Sequence, residues 1–105
     1  MADQPLIDIS QENWLIVRDI LQRYVPDREV WAFGSRAKWT AKEFSDLDIA
    51  IIGDEPLSIG LMAEMKEAFQ ESPLPFKIDI VDWASITPAF QQIIQASKLQ
   101  IQSSR

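Results

Sequence analysis

The chain has 105 residues, 47% of them hydrophobic and 10% aromatic, and a formal charge of −6. That is enough for one compact domain with a core, so residues 1–105 are read as a single unit. The acidic balance argues against a long nucleic acid as the main ligand, because neutralising phosphates takes a basic surface. The chain contains neither cysteine nor histidine. Disulfides, thiolate zinc sites and Ser-His or Cys-His catalysis are therefore excluded. Any metal must be held by oxygen, which points to magnesium or manganese. The N-terminal MADQPLIDIS has no basic or apolar leader region, and no stretch approaches membrane-spanning length, so a cytoplasmic location without membrane contact is expected.

Residues Ser10 to Val25 carry Trp14, Val17, Leu21 and Tyr24 at helical spacing, with Ser10 as the N-cap. Pro26-Asp27 breaks that helix. Glu29 to Phe33 reads as a short strand ending at Gly34-Ser35. Arg36 to Trp39 starts a brief helical turn, and Thr40 to Phe44 is a polar connector. Asp46 to Ile52 is a second strand closed by Gly53-Asp54, and Leu57 to Phe69 a second helix with Leu61, Met65, Ala68 and Phe69 on its apolar stripe. After the Ser72-Pro73-Leu74-Pro75 break, Lys77 to Val81 is a third strand. Thr87-Pro88 opens a last helix running towards Leu99, and QSSR is a polar tail expected to fray. This order predicts an α+β, two-layer fold: a small mixed β-sheet with helices packed on one face and polar groups free to occupy the other.

Strand side chains alternate between faces. Asp46 and Asp48 therefore point the same way, roughly 6–7 Å apart along the strand, while Leu47, Ile49 and Ile51 point towards the helices. Two acids on one face repel, and each raises the other's proton affinity. A divalent cation relieves that cost. In the third strand Asp79 alternates away from Ile78 and Ile80, so on a neighbouring strand it completes a three-carboxylate cluster. Such a cluster suits two magnesium ions about 3.5–4 Å apart, the spacing of in-line phosphoryl displacement. Gly34-Ser35 supplies the complementary half: glycine lets the backbone approach an anion, and N–H groups at the turn hold phosphate.

The Gly34-Ser35 turn, the SDLD run from Ser45 to Asp48 and the KIDIVDW run from Lys77 to Trp83 resemble the polymerase-beta-like nucleotidyltransferase superfamily. Within it the chain is similar, over most of its length, to the minimal nucleotidyltransferase group called MNT. The resemblance implies that Asp46 and Asp48 are metal ligands and that Asp79 is the third acid, a ligand and the candidate base for an incoming hydroxyl. It implies that Gly34 and Ser35 contact the phosphates of ATP, with magnesium, or manganese in its place, as the ion. Members of the group are paired with a HEPN-domain toxin, and the resemblance implies a hetero-oligomer in which AMP passes from ATP to a tyrosine of that toxin. Nothing in so short a chain supplies an acceptor, so a protein partner must bring it.

Several residues keep two readings at this level. Arg36 either joins the nucleotide-binding set or pairs with a surface acid. Ser45 either orients Asp46 beside the nucleotide or simply starts the strand. Trp39 either stacks on a base or faces core or partner, and Lys38 and Lys42 are read as solvated. Asp82 faces away from Asp79 on a regular strand and is read as structural. At the level of function, an antitoxin acting by contact alone and a metal-dependent phosphohydrolase stand beside the transferase.

Overall fold

A computed structural model describes residues 5–104. Three helices and four strands follow the order α1 (Gln11–Tyr24), β1 (Val30–Phe33), β2 (Leu47–Ile51), α2 (Ile59–Glu71), β3 (Ile78–Asp82), α3 (Pro88–Ser97) and β4 (Leu99–Gln102), with a single 3-10 turn at Trp83–Ser85 between β3 and α3. Each helix starts where a hydroxyl meets an otherwise unsatisfied N–H. Ser10 accepts from Asn13 N at 3.1 Å, Ser58 from Leu61 N at 3.1 Å and Thr87 from Phe90 N at 3.2 Å. The Ser58 cap starts α2 two residues later than the apolar pattern suggested. Leu57 is held outside the helix by donating its N–H to Asp82 Oδ2 at 2.8 Å.

The strands form one mixed sheet in the order β3-β2-β1-β4. β1 is antiparallel to both β2 and β4, and β2 is parallel to β3. Val30, Ala32, Leu47, Ile49, Ile51 and Ile80 turn to one face and are buried with Val17, Leu21, Met65 and Phe69 of α1 and α2. The expected small mixed sheet with helices on one face is thus present, with α1 and α2 as those helices. α3 adds a second cover on the opposite face. Ile94 and Phe90 pack there against Trp31, Phe33 and Ala50, and the Phe33 and Phe90 rings meet edge-on at 6.1 Å.

The C-terminal end departs from expectation. α3 stops at Ser97, and the chain turns back as β4 beside β1. Leu99 and Ile101 pack against the main core. Gln102, expected in a fraying tail, donates Nε2 to the carbonyls of Val25 at 2.8 Å and Arg28 at 3.0 Å. These bonds tie β4 to the loop that leads into β1; Arg105 lies outside the described residues.

Candidate active site

The acids meet through register. Asp48 pairs with Asp79 across the parallel β2–β3 ladder, and Phe33 pairs with Asp48 across the antiparallel β1–β2 ladder. Paired residues in neighbouring strands share a face, so Asp48 and Asp79 stand side by side on the face away from α1 and α2. Asp46 lies just before β2, two residues along on the same alternation. Burial raises the proton affinity of the Asp48 carboxyl above the usual carboxylate range, and the charges of Asp79 and Asp46 raise it further. The three acids thus form one electrostatic unit.

Gly34 closes this unit from the β1 side. Its φ is +77°, a left-handed conformation that suits glycine. A Cβ built there would collide with Asp48 Oδ2. The missing side chain is therefore what lets the turn and the central acid approach each other. Beyond Gly34 the chain makes one tight wrap: Ala37 N and Lys38 N both donate to Gly34 O, at 3.2 and 3.1 Å, and Thr40 N donates back to Ser35 O at 2.9 Å. Among the described residues the N–H groups of Ser35 and Arg36 enter no backbone hydrogen bond, which leaves two donors at the turn available to an anion.

The wrap ends at Trp39, whose φ of 60° makes it the one non-glycine with positive φ among the described residues. With the bond from Thr40 N to Ser35 O this is a Schellman-type stop, a position that normally takes glycine. The indole compensates in part by donating Nε1 to Leu6 O at 3.0 Å. Its ring remains 58% exposed.

Arg36 is not open to a phosphate as the sequence reading allowed. It is 5% exposed, and its guanidinium donates to the carbonyls of Asp8 at 2.8 Å, Ser45 at 2.9 Å, Glu43 at 3.0 Å and, weakly, Lys42 at 3.4 Å. The ring of Phe76 lies beneath it, 4.0 Å away. Burial pushes its pKa down, and the charges of Asp8 and Asp46 push back. Arg36 thus pins the loop that delivers Asp46 to the strand end, and pairs with acids through space rather than at the surface. Ser45 likewise serves the loop: its Oγ accepts from Lys42 N at 2.9 Å. Its hydroxyl therefore closes a turn instead of reaching towards Asp46. Asp82 is structural, as read, with Oδ2 also accepting from Ser85 Oγ at 3.4 Å.

An all-oxygen donor set that repels itself fits a hard divalent cation. Among the described residues, however, no three acidic side chains stand close enough to enclose an ion as they lie.

Comparison with known proteins gives the family. The family model "Polymerase beta, Nucleotidyltransferase" matches residues 16–105. The chain belongs to that nucleotidyltransferase family. Within it the chain is of the MNT type: it is 50% identical, over 96 residues, to the probable protein adenylyltransferase MntA of Haemophilus influenzae, covering 91% of this chain and 84% of that protein. The fold also matches a toxin–antitoxin crystal structure with AMP-PNP, at a TM-score of 0.71 and 23% identity over 87% of this chain and 73% of that one. A second match is the complex of a tri-AMPylated Shewanella oneidensis HEPN toxin with its MNT antitoxin, at a TM-score of 0.68 and 22% identity over 91% of this chain and 74% of the other. This nucleotidyltransferase has, among its described residues, no helix long and apolar enough to cross a membrane.

Proposed function

We propose that the chain is a protein adenylyltransferase that moves AMP from ATP to a hydroxyl, a tyrosine, of a cognate HEPN-domain toxin, and so acts as the antitoxin in the cytoplasm. The pairing of Asp48 with Asp79 beside the Cβ-free Gly34 carries this reading, and the likeness to MntA supports it.

The backbone N–H groups of Ser35 and Arg36 bind the terminal phosphates of ATP at the turn. Asp46, Asp48 and Asp79 would hold magnesium, which when bound neutralises the phosphates and steadies the leaving group. Asp79 takes the proton of the acceptor hydroxyl. The acceptor oxygen forms a bond to the α-phosphorus as the bond from that phosphorus to the bridging oxygen breaks, and pyrophosphate leaves. Arg36 and Ser45 act indirectly, by fixing the loop that presents Asp46.

The test is incubation with α-labelled ATP, magnesium and the cognate HEPN toxin, followed by mass spectrometry of both proteins. The wild type should add AMP to the toxin. Asp46→Asn should abolish the transfer with an unchanged circular dichroism spectrum. Transfer retained by that variant overturns the assignment, and toxin inhibition without ATP in both proteins would favour an antitoxin that acts by contact alone.

A further inference from the structure

β3 ends the sheet, with a hydrogen-bonded neighbour on one side only. Beyond its free edge lies a cleft of about 770 Å³ lined by Asp46 and Asp79 of the acid cluster, by Lys66 and Lys77, and by Phe44 and Phe76 among others. We propose that this cleft is the docking groove for the acceptor: an extended segment of the partner toxin that carries the target hydroxyl with acidic side chains beside it. The identity of the segment as an acceptor rests on the adenylyltransferase reading above.

Sheet order and reaction geometry carry the argument together. Across the sheet run the phosphate turn after β1, Asp48 in β2, Asp79 in β3 and then the cleft. In-line displacement puts the attacking oxygen opposite the leaving pyrophosphate. With pyrophosphate held towards Gly34, the acceptor approaches from beyond Asp79, which is where the cleft opens. A hydroxyl at its mouth meets Asp79, the carboxylate placed to take its proton.

The lining fits a polypeptide. The outer backbone groups of an edge strand are open to pairing by an added extended segment. The Phe44 side chain is 67% exposed, and Phe76 is braced from behind by Arg36, so one aromatic is free to cover an incoming side chain and the other is fixed. Lys66 and Lys77 bring positive charge to this cleft in a chain whose formal charge is −6. Their charge suits acidic neighbours of the hydroxyl and orients the segment with its acids away from Asp46 and Asp79.

Two measurements test the groove. The Lys66→Glu/Lys77→Glu double variant should raise the KM for the toxin about tenfold, as loss of charge complementarity predicts, with the KM for ATP within about twofold of wild type. An unchanged toxin KM overturns the proposal. So does a rise in the ATP KM alone, which would give the cleft to the nucleotide. Because the chain has no cysteine, Gln70→Cys gives a single attachment point in the cleft wall for a benzophenone cross-linker. Irradiated with the toxin and no ATP, it should label an acidic toxin segment that includes the tyrosine modified in the transfer assay. Labelling confined to other toxin segments, or none in a complex that still forms, overturns the groove. Cross-linking of the Gln70→Cys chain to one acidic segment, with no AMP transferred by the wild type, sinks the adenylyltransferase reading and leaves the docking groove standing.

Discussion

The two faces of this sheet are built on opposite terms. One is apolar at its centre: Val30, Ala32, Leu47, Ile49, Ile51 and Ile80 are buried under α1 and α2, with the polar Asp82 and Gln102 only at strand ends, opposite Ile51 and Val30. The other is divided. Near α3 it is aromatic, with Trp31, Phe33 and Ala50 beneath Ile94 and Phe90. Next to that, in the same strands, it is a cluster of acids in which burial, Asp79 and Asp46 raise the proton affinity of Asp48. One face concentrates cohesion, and the other tolerates repulsion because the first holds the strands in place. Alternation with a period of two lets five residues of β2 serve both ends: Leu47, Ile49 and Ile51 bind the strand to the core while Asp48 faces the site.

That contrast can be tested by perturbing each face in turn. The largest effect belongs to the cohesive face. Ile49 is fully buried, and Ile49→Ala should cost about 2–5 kcal/mol in urea denaturation. A loss well under that range would mean the core is not where the stability lies. Next comes the support between the faces. Arg36→Lys keeps the charge but loses the fork that reaches several carbonyls, and should cost roughly 1.5–3 kcal/mol, with weaker ATP binding because the loop before Asp46 slackens. Calorimetric titration with ATP in magnesium, beside thermal melts, reads both.

The smallest effect has the opposite sign. The folded-state pKa of Asp48 is raised by burial, Asp79 and Asp46, so the native state holds that proton more tightly than the unfolded chain does. Its stabilising contribution is present below the unfolded carboxylate value of about 3.9 and is lost as pH rises through the raised folded value. Without metal, the wild-type Tm should therefore drift down over that window relative to Asp48→Asn, which removes the titration, and magnesium should recover more of the loss in wild type than in the variant. A melting series from acid to neutral pH, with and without magnesium, decides it; parallel curves for the two proteins would sink the electrostatic account.

Much of this was legible because alternation is local. Asp46, Asp48 and Asp79 declare their faces from their own strands, and Ser10 and Thr87 mark their helix starts. What escaped was non-local, although two signals were present. EVWAF is apolar at every position from Val30 to Phe33, the pattern of a strand covered on both faces, and it pointed to a helix where α3 lies. Leu99-Gln100-Ile101-Gln102 alternates like an edge strand, and β4 was lost to the pull of a long helix. No local pattern distinguishes a guanidinium bound for phosphate from one bound for carbonyls. Arg36 is settled by the folding of residues 42–45 and of Asp8 around it. Lys66 and Lys77 line one cleft from α2 and from the approach to β3, a placement that only the tertiary arrangement creates.

Gly34 ties chemistry to a single methyl group. The volume its side chain would fill is the volume in which the Asp48 carboxylate sits, so enlarging residue 34 displaces that carboxylate without altering any acid. Surfaces remote from that turn would keep their shape. One added carbon, at a residue with no chemistry of its own, would therefore disorder the acid cluster in a sequence that keeps every aspartate.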